Sequence, residues 1–158
     1  QINVNEFPAA YWWGFGHSGS RSMRIGIPGA ADNRYSYSSV QQTVAIPSPL
    51  ASARLGYWLY PQTSETVAAL TPPPIVPTSS RDRARLSDDA QMVLLFDRYG
   101  QQTVLRFMRE NPGRWVYYES DLSAFRGQTV TLYLGVFNNG WGGVTAMWAD
   151  DVALNVCR

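Results

Sequence analysis

The residues best suited to chemistry in this chain are aromatic. Six Trp, nine Tyr and six Phe stand among 158 residues. An aromatic ring can lie against the apolar face of a pyranose while nearby polar groups make directed hydrogen bonds. Trp58 and Tyr60 share one face of an alternating segment, opposite Leu55 and Leu59. Tyr118 alternates with Val116 and Ser120, and Tyr133 lies opposite the aliphatic set of its own segment. Trp141 sits in the glycine-rich run Asn138–Gly143. This pattern predicts a sugar-binding surface in which Trp58, Tyr60, Tyr118, Tyr133 and Trp141 stack. Arg54, Arg106 and Glu119 would supply the hydrogen bonds. The competing reading is that these rings fill a core, as Trp and Tyr routinely do.

Catalytic arrangements are poorly supported. A nucleophile–base pair needs His17, the one histidine, and Cys157 lies next to the last residue. Zinc needs three or four His or Cys ligands at suitable spacing, and the chain cannot supply them. A retaining glycosidase needs two carboxyls about 5–5.5 Å apart. Of Glu6, Glu65, Glu110 and Glu119, only Glu119 sits mid-strand among aromatics, with no clear partner. Gly140–Gly143 lacks the Lys and following helix of a phosphate loop. The 13 basic residues, all Arg, are scattered, and the formal net charge is +1. Such a chain has no basic stripe for nucleic acid and no field to draw in an anionic membrane.

The elements that must position these residues are strands. Ala53–Tyr60 and Thr129–Val136 alternate with period two, as half-buried antiparallel strands do. Similar runs occur at Ser22–Ile27, Ser38–Ile46, Gln91–Asp97, Thr103–Arg109, Trp115–Leu122 and Ala146–Val156, with a short strand near Ile2–Asn5. Turn signals separate them, and Ser123–Phe125 reads as one helical turn. About nine short strands and no long amphipathic helix predict an all-β antiparallel sandwich. The length suits one domain over residues 1–158. A proline-rich insertion at about residues 61–89 breaks the pattern. Such a loop either packs over one rim or shapes a binding surface, and packing is the simpler expectation. No apolar run approaches the ~20 residues that span a bilayer. The text begins at Gln1 with no basic leading region, as a processed protein or an excised domain would.

Several segments resemble extracellular jelly-roll modules of the galactose-binding-like and MAM-like type, such as xylan-binding modules and accessory domains of secreted bacterial peptidases and glycosidases. The matching motifs are His17–Ile25, Tyr37–Pro47, Ala53–Tyr60, Trp115 with Asp121–Val130, and Ala149-Asp150-Asp151-Val152-Ala153-Leu154, in the family's order. The resemblance implies a jelly-roll β-sandwich that is non-catalytic, extracellular or at the cell surface, and carbohydrate-binding. It also implies a structural Ca²⁺ held by Glu6, the Ser20 carbonyl and Asp150 or Asp151. Calcium takes 6–8 oxygens, and such an ion would tie the two chain ends together. The expected partner is a carbohydrate or a neighbouring domain of the same polypeptide. An alternative is a protein-interaction or spacer module, and a small glycosidase is a distant third.

Overall fold

The computed structural model describes residues 6–49 and 51–157. Nine strands run in chain order: β1 Ala10–Trp13, β2 Arg21–Gly26, β3 Tyr35–Ala45, β4 Ser52–Thr63, β5 Ala90–Phe96, β6 Gln102–Met108, β7 Val116–Asp121, β8 Thr129–Asn139 and β9 Thr145–Cys157. They form two antiparallel sheets, one ordered β1-β2-β9-β4-β7 and the other β3-β8-β5-β6. The expected all-β sandwich is therefore the observed one. Only two short 3₁₀ turns interrupt it among the described residues, one of them at the expected Ser123–Phe125. Among the described residues, no helix is long and apolar enough to cross a membrane.

Period two builds the main core. Ala53, Leu55, Tyr57 and Leu59 of β4 point inward and are at most 2% exposed. They meet Val130, Leu132, Leu134 and Val136 of β8 and Val93 and Leu95 of β5. The opposite residues of β4 – Arg54, Gly56, Trp58 and Tyr60 – form part of the outer face of the five-stranded sheet, in register with β7 and β9.

The outer face of the four-stranded sheet is also buried, which period two alone did not reveal. Residues 64–89 cross it as a strap. Tyr37, Ala90, Met92, Leu94, Tyr133 and Phe137 project outward from this sheet into a second cluster with Val76, joined by Leu70 and Leu86 of the strap. The strap is fastened along its length. Val76 N–H donates to Gln102 Oε1 at 2.8 Å, and Gln102 Nε2 donates back to the Val76 carbonyl at 2.9 Å. Ala68 bridges to Arg109, and Asp82 caps the turn at Thr78 and Ser79. Prolines 72, 73, 74 and 77 hold this segment extended, so it lies flat without regular pairing. The insertion thus packs over a whole sheet face, beyond the single rim expected.

The short N-terminal strand expected near Ile2–Asn5 falls outside the described residues. The first strand observed is Tyr11-Trp12-Trp13 with Ala10, which pairs with β2 at the sheet edge.

The strap core sets the first test. Phe137 is fully buried beneath it, with its ring 4.7 Å from that of Tyr37. Phe137→Ala should lower the unfolding free energy in urea by about 3–5 kcal/mol. Trp141→Ala, at an exposed site, should change it by no more than about 0.5 kcal/mol. A near-neutral Phe137→Ala would show that the strap does not seal this face.

Candidate functional site

The outer face of the five-stranded sheet carries a continuous aromatic surface. Its foundation is a bulge in β9. Gly56 pairs with Ala153 but Trp58 pairs with Asp150, so Asp151 and Val152 together oppose one residue of β4. Asp151 takes a left-handed conformation, φ 48°, which is unfavourable for a residue with a Cβ. Hydrogen bonds from the β1–β2 loop compensate. Asp151 Oδ1 accepts from Ser18 Oγ at 2.6 Å, and Oδ2 meets His17 Nδ1 at 2.7 Å. Asp150 Oδ2 accepts from the backbone N–H groups of His17 and Ser18 at 2.8 and 3.2 Å, and its Oδ1 takes the Asp151 N–H at 2.8 Å. The Ser18 and His17 bonds hold the Asp151 carboxyl below the usual carboxylate range.

This clasp folds the β1–β2 loop over the sheet. The His17 imidazole stacks on Trp58, centroids 3.7 Å apart and 14° from parallel. Phe15 packs against Tyr60, Trp115 and Trp148 at 4.9, 5.6 and 5.5 Å. Trp148 is 5% exposed beneath this roof, and Trp58 and Tyr60 are half-buried.

Beyond the roof the surface opens onto β7. Tyr117 is 46% exposed, and the hydroxyl end of its ring leans over Gly56. A Cβ at Gly56 would stand 3.1 Å from Tyr117 Cε2 and Cζ, with the hydroxyl closer still. Glycine is the residue that makes room for this close approach. Trp58 flanks this ring at 5.3 Å. On its other side Glu119 Oε2 accepts from the Tyr117 hydroxyl at 3.3 Å, and Oε1 takes Arg54 Nη1 at 2.7 Å. The result is an aromatic surface bordered by a positioned carboxylate and a guanidinium.

The structure divides the expected ligand-binding set. Trp58, Tyr60, Arg54 and Glu119 share this face. Tyr118 does not: it points inward, stacked on Tyr57 at 5.9 Å, with the Arg106 guanidinium 5.1 Å above its ring. Strand β7 has aromatics on both faces, and the sandwich takes the 118 side for packing. Tyr133 is 1% exposed under the strap, its hydroxyl donating to the Thr78 carbonyl at 3.3 Å. It cannot stack on a ligand. Trp141 is 80% exposed but stands in the β8–β9 loop, with none of the ring contacts of the platform. Sequence reasoning missed His17, Phe15, Trp115 and Tyr117 as parts of one surface. The available signal was Gly56, a glycine inside an otherwise bulky strand.

The expected calcium ligands are not gathered. Glu6 lies on the other sheet, where its carboxylate accepts from the Tyr37 N–H and from the Ser80 N–H and hydroxyl, the latter two at 3.0 and 2.8 Å. The Ser20 carbonyl accepts from Gly14 N–H at 2.8 Å. All four carboxylate oxygens of Asp150 and Asp151 already face protein donors. A cation would meet N–H and O–H groups there, and no cluster of three or more His, Cys, Asp or Glu suited to a metal occurs among the described residues. The donor set does not fit calcium. The protein's own hydrogen bonds make the connection that the metal was expected to make.

No family model matches the chain, and no curated protein matches it. Solved structures do. The carbohydrate-binding module TmCBM61, determined in complex with beta-1,4-galactotriose, superposes with a TM-score of 0.54 at 11% identity, over 89% of this chain and 73% of that one. An exo-beta-agarase superposes with a TM-score of 0.57 at 11% identity, over 100% of this chain but only 23% of the enzyme. At this identity the shared property is the fold alone, a two-sheet antiparallel β-sandwich of jelly-roll type.

The clasp predicts a defined acid response. Asp151 has a depressed folded-state pKa, so its contribution to stability is present above the unfolded carboxylate value of about 3.9 and is lost as pH falls through the lower folded value. The melting midpoint of the wild type should exceed that of Asp151→Asn at neutral pH, and the gap should close below about pH 4. EDTA and added Ca²⁺ should leave the wild-type midpoint unchanged; a calcium-dependent rise would restore the metal.

Proposed function

We propose that this domain is a carbohydrate-binding accessory module of a larger extracellular or cell-surface protein, and that the outer face of the five-stranded sheet is its binding surface. The observation that carries this is the half-exposed Tyr117 ring, whose hydroxyl end leans over Gly56 beside Trp58. An exposed aromatic ring of this kind can meet the apolar face of a pyranose. Arg54 and Glu119 stand beside it as donor and acceptor, already oriented by their mutual bond, so little rotamer entropy is lost on binding. Trp58, Trp115 and the His17 ring extend the platform along the sheet. The strap leaves the molecule no equivalent surface on the other side. The fold shared with a galactotriose-binding module and with part of an agarase supports the same ligand class.

Binding fits this geometry better than cleavage. Both Glu119 oxygens are engaged, by Arg54 and by Tyr117, which suits a hydrogen-bond acceptor. A general acid would instead have to be kept protonated next to a second carboxyl.

The test is binding to a panel of neutral polysaccharides, including β-1,4-galactan and agarose, by affinity electrophoresis and calorimetry. Tyr117→Ala should weaken binding by roughly tenfold or more, about 1.4 kcal/mol. Gly56→Val should weaken it similarly by tipping the Tyr117 ring off the sheet, without touching the ligand itself. Trp141→Ala should bind as the wild type does. Equal affinity of Tyr117→Ala and wild type would overturn the assignment of this face.

A further inference from the structure

Strand β1 contributes three consecutive aromatics yet buries almost nothing. Trp12 faces the outer platform, its ring 6.1 Å from that of Trp148. Tyr11 and Trp13 project to the opposite side, in register with Met23 and Arg21. Met23 packs onto the main core, so this is the inner side of the sheet. There β1 is an edge strand that overhangs its neighbour, and Tyr11 and Trp13 remain 66% and 68% exposed. The Arg21 guanidinium lies 4.7 Å from the Trp13 ring and fixes its orientation. Next to Tyr11 the β9 bulge opens a cleft of about 220 Å³, lined among others by Tyr11, Arg21, Met23, Asp150, Asp151 and Val152.

We propose that this overhang is a second sugar site, separate from the outer platform, that holds one or two units of a neutral saccharide. Two rings two residues apart on an extended strand stand about 7 Å from each other on one face. They offer successive stacking surfaces. The cleft walls mix apolar groups, Met23 and Val152, with the Arg21 guanidinium as donor, which suits a ring that is apolar on its faces and hydroxylated at its rim. An anionic ligand would meet Asp150 and Asp151, and a cation would meet Arg21 and carboxylates already saturated by the clasp. The cleft is too small for a folded partner. Large exposed aromatics on an edge strand are an aggregation hazard that a ligand role would explain. The ligand class is that of the outer face, so the inference rests on the reading above in that one respect. With two faces engaged, the module would bridge two glycan chains or two stretches of one chain.

The six Trp indole N–H signals provide the experiment. The ¹⁵N-labelled domain is titrated with β-1,4-galactotriose, xylotriose and cellotriose in turn. The Trp13 signal should move saturably with at least one sugar, with its own midpoint, and should do so equally in Tyr117→Ala. Tyr11→Ala should weaken the Trp13 response by roughly tenfold while leaving that of Trp58 and Trp115 intact. A Trp13 signal that stays fixed while Trp58 and Trp115 saturate removes the second site and leaves the first. Movement of Trp13 alone supports the second site and contradicts the first. No movement of any indole with the three sugars contradicts both. A Trp13 signal that shifts with protein concentration alone marks self-association and overturns the inference.

Discussion

Burial of the outer face of the four-stranded sheet by residues 64–89 is the constraint on which the functional geometry depends. A sandwich buries its two inner faces and leaves two outer faces for solvent. Here the strap takes one of them. Tyr37, Tyr133 and Phe137, three large rings that point away from the main core, are sealed beneath Val76 and its neighbours. Burying side chains of that size stabilises by roughly 1.5–3 kcal/mol each, and the strap's prolines lower the entropy lost on ordering it. The molecule becomes a three-layer structure with a single free sheet face. Whatever meets this protein across a broad surface meets the five-stranded sheet or an edge.

That free face is shaped by backbone devices more than by the side chains that display it. The β9 bulge turns Asp150 and Asp151 toward the β1–β2 loop, and their four oxygens take up His17 and Ser18. The loop is thereby pinned, and Phe15 and His17 become the roof of an aromatic layer. One missing side chain, at Gly56, makes room for the end of the Tyr117 ring. Neutral and charge-assisted hydrogen bonds hold the β1–β2 loop to β9, and the Asp151 carboxylate at their centre makes that link sensitive to acid.

Much of this architecture was legible in the sequence, and the reason is period two. The alternation in β4 and β8 identified the inward sets correctly, and the turns separated eight of the nine strands. What alternation cannot say is what covers the other side. Tyr133 was opposite the aliphatic set, as expected, yet it is buried, because a segment more than forty residues earlier lies on top of it. The choice between Tyr117 and Tyr118 failed for a related reason. Both faces of β7 carry a Tyr, and only the pairing with β4, which sets Tyr117 opposite Trp58 with its hydroxyl end over Gly56, decides which one meets solvent. Glu6 was assigned to a metal through resemblance, but its carboxylate fastens the strap at Ser80. Tyr11-Trp12-Trp13 is as aromatic as a core strand, yet Tyr11 and Trp13 stand exposed because β1 lies at the sheet edge; an edge position overrides composition.

The account is tested most directly by hydrogen–deuterium exchange on the domain with and without a saturating neutral oligosaccharide. It predicts that new protection falls on β4, β7 and the 14–20 loop, while residues 64–89 and β5 are unchanged. Protection confined to the strap, with the Tyr117 face exchanging as in the free protein, would contradict it.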